Sequence, residues 1–276
     1  MNDMIEIKDL TIEFEERESS HIVVDHMNLS IKKGEVVGLV GESGSGKSMT
    51  ALALAGLLNR QGKITSGQIL FEERDLLTCN AKELHQYQGN KISMIFQEPM
   101  TSLNPAMKIG KQVEEGLKLH KKLSKVERKK QVIEILKQVE MKDPEKVYKQ
   151  YPHQLSGGMR QRVMIAMALI LDPDLLIADE PTTALDVTIQ AQIIELLKKR
   201  NESHGTSMLF ISHNLGVVKR FCHRVYVMKE GKMVEEGEAK YLFEHPKEEY
   251  TKRLIESIPS MTMRRKRDSG GETIKD

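Results

Sequence analysis

The chain has 276 residues, of which 39% are hydrophobic and 30% are charged, a balance typical of folded domains rather than disordered chains. Its formal net charge of +2 gives little reason to expect nucleic acid as a partner. No run of about 18 apolar residues occurs, so the sequence predicts no membrane-spanning helix. Cys79 and Cys222 lie far apart without the spacing of metal ligands, and we expect two reduced thiols.

The first predicted elements are strands. Residues 5–10 and 11–14 have the pattern of short strands, and the polar residues 15–20 indicate a turn or loop. Val36–Val40 is almost fully apolar and is bounded by glycines, which favours a strand buried on both faces in a parallel sheet. A helix rich in Ala and Leu is predicted over residues 49–58. Strands are predicted next over residues 67–71 and 92–96.

The middle of the chain changes to lysine, glutamate and leucine at helical spacing, between residues 108 and 141. One apolar stripe within it is formed by Val132, Ile135, Leu136 and Val139. Further on, a helix is predicted to begin near Arg160. Strand signals then return at residues 175–178, 207–212, 225–228 and 232–234, the last two as a hairpin. Strands alternating with helices at both ends therefore predict an α/β core that carries a helical subdomain.

The clearest motif is Gly41-Glu-Ser-Gly-Ser-Gly-Lys47-Ser48, which matches G-x-x-x-x-G-K-[ST] in full. It lies between a predicted buried strand and a predicted helix, where backbone N–H groups and the helix start attract phosphate. Lys47 is predicted to reach the β- and γ-phosphates of a nucleotide, and Ser48 to coordinate Mg²⁺. The residues predicted to bind the nucleotide here are Gly41, Glu42, Ser43, Gly44, Ser45, Gly46, Lys47, Ser48 and Met49.

Two adjacent acids, Asp179 and Glu180, follow the apolar residues 175–178. If the strands are parallel, these acids leave the sheet beside the phosphate-binding loop. Asp179 is predicted to hold magnesium, directly or through water, and Glu180 to act as the general base on the attacking water. Two acids at a strand end are often only a solvated turn. Because the chain also has a phosphate-binding loop, we interpret this pair as part of a nucleotide site.

A second feature suited to anions is Ser156-Gly157-Gly158, which precedes a predicted helix. Ser156 suits the N-cap position, and the glycines allow a ligand to approach backbone N–H groups. The alternative interpretation is simply a capped helix. Because the chain has two such helix starts but one phosphate-binding loop, one ATP could lie between the loop of one chain and this segment of another.

The chain resembles the ATP-binding-cassette family over residues 1–254. The resemblance is carried by four features that occur in the family's order: the phosphate-binding loop, residues 155–162, residues 175–180 and His213. The resemblance implies an ATPase that uses ATP and Mg²⁺. It implies an α/β fold, in which a RecA-like P-loop NTPase core carries an N-terminal antiparallel β-subdomain and an inserted α-helical subdomain. The implied ATPase domain covers residues 1–250.

Within that domain the helical insertion is expected at residues 98–165. A helix and a basic, disordered tail are expected over residues 251–276. Gln97 matches the glutamine that senses magnesium and the attacking water in the family. His213 matches the histidine that contacts the γ-phosphate.

Further residue roles follow from the same resemblance. Ser156 and Gly158, with Gly157 between them, match the signature motif that contacts the γ-phosphate across a head-to-tail dimer. Asp186 closes a segment that resembles the family's D-loop. Met159 departs from the pattern, since many members carry glutamine there. Phe14 is the candidate for stacking on adenine, and the alternative is a phenylalanine buried in a strand.

Residues 96–105, 155–162 and 250–259 resemble the branch of importers for dipeptides, oligopeptides and nickel. That branch implies two membrane permeases, a second ATPase subunit (a homologue or a second copy), and indirectly an extracytoplasmic solute-binding protein. The place implied is the cytoplasmic face of the cell membrane. Peptide is the expected cargo, while nickel or another metal complex stays open, because the ATPase does not touch the cargo. A cassette ATPase of DNA repair or translation is the rival class, although the chain lacks their usual coiled coils, zinc-finger cysteines or second cassette.

Overall fold

The structure is a computed structural model that describes residues 3–15, 19–183 and 185–257. Part of the predicted turn at residues 15–20 and nearly all of the predicted tail lie outside the described residues. The prediction of a disordered tail is therefore not addressed by the structure.

The first sheet is antiparallel and comes from the amino-terminal part of the chain. Its strands are β1 (Ile5–Glu15), β2 (Ser20–Ile31), β4 (Gly62–Phe71) and β5 (Arg74–Asp75), in the order β2-β1-β4-β5. The predicted strands 5–10 and 11–14 are one strand, and β4 begins earlier than the predicted residue 67. Bulges in β1 and the left-handed backbone of Asp9 and His26 interrupt the alternation of inward-facing and outward-facing side chains. The continuous strands therefore do not show the regular period of two by which strands are predicted from sequence.

The second sheet has six strands and holds the centre of the molecule. They are β3 (Val36–Val40), β6 (Ile92–Ile95), β7 (Leu175–Asp179), β8 (Ser207–Ile211), β9 (Arg224–Lys229) and β10 (Lys232–Glu238), in the order β10-β9-β3-β8-β7-β6. All neighbours pair in parallel except β9 and β10, which form the predicted hairpin. Every residue of β3, β6, β7 and β8 is buried, as the apolar runs predicted.

Helices cover the second sheet and form the central block. Outside the block they are α1 (Lys47–Leu54), α2 (Ala81–Tyr87), α9 (Val187–His204), α10 (Leu215–Phe221), α11 (Ala239–Glu244) and α12 (Glu249–Glu256). The prediction of a helix over residues 49–58 was wrong at both ends. The helix begins inside the phosphate-binding loop and stops before Gly56, whose positive φ of 67° ends it.

The central block is helical, as predicted. It contains α3 (Pro99–Ser102), α4 (Ile109–Val113), α5 (Glu115–His120), α6 (Lys125–Gln138), α7 (Pro144–Lys149) and α8 (Gly157–Leu169). The predicted apolar stripe of α6 is buried in the same hydrophobic core as much of α8. This core attaches the block to the sheet. The division of the chain at residue 250 stays a prediction.

A buried carboxylate links α4, α5 and α7. Glu114 is fully buried, and its Oε1 accepts hydrogen bonds from Lys111 at 2.9 Å and Lys118 at 3.1 Å. Its Oε2 accepts a hydrogen bond from the Tyr148 hydroxyl at 3.2 Å. Burial raises the pKa of Glu114, but the hydrogen bonds from the two lysines outweigh burial and leave that pKa below the usual value of a glutamate.

We expect Glu114→Ala to lower the free energy of unfolding by about 1–3 kcal/mol, because Tyr148 loses its buried partner while the half-exposed lysines can turn to water. Since the pKa of Glu114 is lowered on folding, its contribution is present above pH 4.5 and declines as the pH falls through the folded pKa. Urea unfolding at two pH values measures this effect. The exposed neighbour Glu115→Ala is the control, and equal effects of both variants would contradict the account.

Candidate active site at the carboxyl edge of the sheet

The candidate site forms where four neighbouring parallel strands end. The phosphate-binding loop follows β3, Glu180 follows β7, and Gln97 and His213 come shortly after β6 and β8. Since parallel strands share one carboxyl edge, the sheet brings together residues that lie far apart in sequence. The strands are parallel, which is the condition under which the two acids were predicted to lie beside the loop.

The phosphate-binding loop closes around Lys47, whose side chain is only 5% exposed. The Lys47 ammonium donates hydrogen bonds to the carbonyl oxygens of Gly41 at 2.9 Å and Glu42 at 2.7 Å, and to the Ser45 hydroxyl at 3.2 Å. Burial lowers the pKa of Lys47, although the charges of Glu180 and Asp179 oppose that shift. The loop therefore holds a partly desolvated cation in place for an anionic ligand.

Two glycines of this loop are required by its surroundings. A Cβ at Gly41 would lie 2.1 Å from the Met228 carbonyl oxygen, and one at Gly46 would lie 2.5 Å from that of Val23. Both glycines also have positive φ, 151° and 100°. The loop is thus pressed between β9 and β2, and this packing fixes its path.

Asp179 and Ser48 fit a magnesium ion. Asp179 is 4% exposed, and its Oδ1 is buried with no hydrogen-bond partner among the described residues. Burial raises the pKa of Asp179, while a hydrogen bond with the Ser48 side chain opposes the shift. A buried carboxylate oxygen beside a hydroxyl is the oxygen-only donor set that Mg²⁺ prefers, together with phosphate and water. Such an ion would give the Oδ1 atom of Asp179 the partner that it lacks among the described residues.

Glu180 lies at the meeting point of the predicted catalytic residues. Its Oε2 accepts hydrogen bonds from Gln97 Nε2 and from the Thr183 hydroxyl, both at 2.9 Å. Its Oε1 pairs with Nε2 of His213, whose side chain is 50% exposed. The structure thus brings Gln97, Glu180 and His213 together, as the resemblance implied, and Thr183 joins them.

The backbone of Glu180 is unusual. Its φ is 47°, in the left-handed region that glutamate rarely adopts and that costs about 1–3 kcal/mol. Its N–H donates to the Ile211 carbonyl oxygen at 3.0 Å, and its own carbonyl oxygen accepts from the Thr183 N–H at 3.2 Å. These bonds hold the strained backbone of Glu180 in place at the end of β7.

The Ser156 segment forms a capped helix start, but α8 begins at Gly157 rather than near the predicted Arg160. The exposed Ser156 side chain accepts a hydrogen bond from the Met159 N–H at 3.3 Å, which identifies it as the N-cap. A Cβ on the exposed Gly157 would meet nothing within 4 Å. Gly158 is packed against α9, because its Cβ would lie 3.2 Å from a methyl group of Ile189.

Asp186 is the N-cap of α9, where its Oδ1 accepts a hydrogen bond from the Ile189 N–H at 2.9 Å. Because Gly158 packs against the same Ile189, the starts of α8 and α9 lie side by side. The hydrogen bonds found for Ser156 and Asp186 stay within their own helices. Any role of these residues toward a nucleotide stays a prediction.

Phe14 lies near the end of β1 and is half-buried, with its ring 5.9 Å from the His21 ring. It pairs with Gly62 of β4, where a Cβ would lie 3.0 Å from the Met49 side chain. Gly62 thus lies between Phe14 of β1 and Met49 of helix α1. The neighbourhood suits the predicted contact with adenine, and the contact itself stays a prediction.

Two contacts on the phosphate-binding loop have no local sequence signal. The Gly231 N–H, in the turn between β9 and β10, donates to the Ser45 carbonyl oxygen at 3.1 Å. The Tyr250 hydroxyl of α12 accepts a hydrogen bond from the Glu42 N–H at 3.0 Å. The carboxyl-terminal part of the described chain thus supports the loop from outside.

The fold agrees with comparisons to known proteins. The family model described as "ABC transporter" matches residues 24–183. The dipeptide transport ATP-binding protein DppD of Haemophilus influenzae is 48% identical over 256 residues, which cover 93% of this chain and 78% of that protein. The oligopeptide transport ATP-binding protein OppD of Bacillus subtilis is 49% identical over 259 residues, covering 94% and 72%.

A further relative spans more than this chain does. The peptidoglycan transport ATP-binding protein YejF of Agrobacterium fabrum is 50% identical over 257 residues, or 93% of this chain, which spans only 47% of that protein's length. Among solved structures, the ATP-binding cassette MJ0796, a dimer in a post-hydrolysis state with ADP and Pi, has a TM-score of 0.78 and 33% identity. The match covers 86% of this chain and 99% of that one.

Fold and site together define a P-loop ATPase built on the ATP-binding cassette. The chain belongs to the ABC transporter family, and its reaction is the hydrolysis of ATP. Within the part of the chain that the structure describes, no helix is both long enough and apolar enough to cross a membrane.

Proposed function

We propose that this chain supplies the energy of ATP hydrolysis to an importer of oligopeptides or dipeptides. The observation that carries the proposal is the Glu180 carboxylate, which is held by Gln97, Thr183 and His213 at the strand end next to the loop around Lys47. The names of DppD and OppD, both nearly half identical to this chain, support peptide as the cargo.

The phosphate chain of ATP binds to the backbone N–H groups of residues 41–48, and Lys47 contacts its terminal phosphates. Bound Mg²⁺, held by Ser48 and Asp179 with Gln97 nearby, would neutralise charge on the phosphate oxygens. The orphaned Oδ1 of Asp179 supports this assignment.

Glu180 acts on the attacking water. The water oxygen bonds to the γ-phosphorus, the bond from that phosphorus to the ADP oxygen breaks, and the water proton passes to the Glu180 carboxylate. Gln97 and Thr183 hold one carboxylate oxygen, so the geometry of the base is set before the nucleotide arrives. His213 is half-exposed at the rim and pairs with Oε1 of Glu180, and it would leave that pair to contact the γ-phosphate.

The active ATPase is a head-to-tail pair with a homologous subunit or a second copy. The exposed Ser156 and the empty space beside Gly157 support this, because a phosphate held by another chain can approach that helix start. Phe14 and Asp186 complete the proposed nucleotide contacts. The pair works at the cytoplasmic face of the membrane on two permease subunits, which a solute-binding protein supplies from the other side.

We expect Ser156→Arg to leave ATP binding intact and to lower hydrolysis by the assembled transporter at least about tenfold, since a long cation would block the approach of the second chain. ATPase assays of the purified complex measure this. Ser124→Arg is the matched control, because Ser124 caps α6 in the same way, so loss of a helix cap affects both variants. Equal hydrolysis by the Ser156 variant and the unmodified complex would argue against the shared site.

The transport function is tested by purifying this chain from membranes with its bound partners and reconstituting the complex in vesicles. We expect permeases to co-purify, and the ATPase rate to rise severalfold when a cognate binding protein carries a peptide. Stimulation by nickel-loaded binding protein alone would move the cargo to metal complexes. Stimulation by nucleic acid, with no permease bound, would refute the importer and favour the rival class.

A further inference from the structure

A tyrosine near the carboxyl end of the described chain contacts the phosphate-binding loop. The half-buried Tyr250, in the first turn of α12, places its hydroxyl oxygen 3.0 Å from the Glu42 backbone nitrogen, which donates the hydrogen bond. The two residues are 208 positions apart in sequence. The Gly41 carbonyl oxygen, which belongs to the same peptide unit as the Glu42 N–H, accepts a hydrogen bond from the Lys47 ammonium at 2.9 Å. The Gly41–Glu42 peptide unit therefore links Tyr250 to the cation of the site.

Tyr250 is itself held in place. Glu235 of β10 accepts hydrogen bonds from the backbone N–H groups of Lys247 at 2.9 Å and Glu248 at 3.1 Å, at the start of α12. The Lys229 ammonium lies 5.5 Å from the centre of the Tyr250 ring. The start of α12, which bears Tyr250, is thus hydrogen-bonded to strand β10 of the second sheet.

Burial raises the pKa of Tyr250 above the usual value of tyrosine, so the phenol is neutral at physiological pH, as an exposed tyrosine also is. A neutral hydroxyl accepts one hydrogen bond from the loop without adding a negative charge near the phosphates. The contact therefore holds the Gly41–Glu42 peptide unit through an uncharged group.

We propose that Tyr250 is a positioning residue of the ATP site: it fixes the Gly41–Glu42 peptide unit, and through that unit it orients Lys47. The proposal rests on the assignment of the loop as the nucleotide site, made above. Loss of the hydroxyl leaves the loop intact but less ordered before ATP binds, so binding must supply that order. The turn at Gly231 still holds Ser45, which limits the loss.

Tyr250→Phe removes only the hydroxyl and keeps the ring. We expect ATP affinity and KM to worsen about fivefold, equivalent to ~1 kcal/mol, while kcat at saturating ATP stays within about twofold. Titration with a fluorescent ATP analogue and steady-state kinetics of the full chain measure both. Amide hydrogen exchange should be faster in the peptide that contains residues 41–48, with the rest of the chain unchanged.

Tyr241→Phe is the matched control, because Tyr241 is 58% exposed on α11 and contacts the His245 ring instead of the loop. Wild-type affinity and wild-type exchange in the Tyr250 variant would overturn the proposal. A lower melting temperature with unchanged KM would also overturn it, because Tyr250 would then serve packing alone. Lys47→Ala separates the two ideas: if that variant loses ATP while Tyr250→Phe changes nothing, the nucleotide site stands and the positioning role falls.

Discussion

Replacing Glu180 by glutamine is expected to lower the rate of ATP hydrolysis by about 10²–10⁴-fold, the usual contribution of a general base. The amide oxygen of the new side chain can still accept the hydrogen bonds from Gln97 and Thr183, so the fold of the site should survive. An amide cannot take the water proton, and the chemical step therefore slows. ATP binding should stay within about twofold of the original chain.

Single-turnover hydrolysis and a nucleotide-binding titration separate these two effects. With binding intact and turnover blocked, the ATP-bound pair of subunits should accumulate in gel filtration. Glu195→Gln, an exposed change on α9 with the same loss of charge, is the control. Normal steady-state hydrolysis by the Glu180 variant would remove Glu180 from the role of base.

Lys47→Ala is expected to weaken ATP binding at least about 100-fold, because two charge-assisted hydrogen bonds to phosphate contribute ~3 kcal/mol or more. The variant should remain folded. The burial that lowers the pKa of Lys47 is a cost to the nucleotide-free chain, and this cost disappears together with the three hydrogen bonds of the ammonium.

Isothermal titration with ATP and Mg²⁺ measures the change in affinity, and thermal melting checks the fold. Lys33→Ala serves as the charge control, because Lys33 is exposed in the turn before β3, at the opposite end of that strand from the loop. Unchanged ATP affinity in the Lys47 variant, with an unchanged melting temperature, would show that the loop does not bind phosphate.

The candidate nucleotide site could be predicted from the sequence because each of its parts is a local pattern. A glycine-rich loop after one apolar run and two acids after another are both visible within about ten residues. The loop and the acids lie at the same edge of the sheet because their strands are parallel. Fully apolar runs such as Val36–Val40 indicate parallel, buried strands. The same locality explains why the helical block and the stripe of α6 were predicted correctly.

Features that depend on distant contacts could not be predicted. Tyr250 and Gly231 touch the loop across most of the chain length, and neither belongs to a motif for phosphate binding. Thr183 begins the segment that resembles the D-loop, but that resemblance gave no reason to expect its hydroxyl to donate a hydrogen bond to the Glu180 carboxylate. β2 was missed because its bulges shift the inward-facing positions, so the apolar residues do not alternate regularly.

A crystal structure with a non-hydrolysable ATP analogue and Mg²⁺ tests the central claim most directly. We predict the triphosphate on the loop from Gly41 to Ser48, with the metal held by Ser48 and Asp179, and Glu180 within reach of a water at the γ-phosphate. An empty loop at saturating nucleotide, or a metal out of reach of Asp179, would contradict the account.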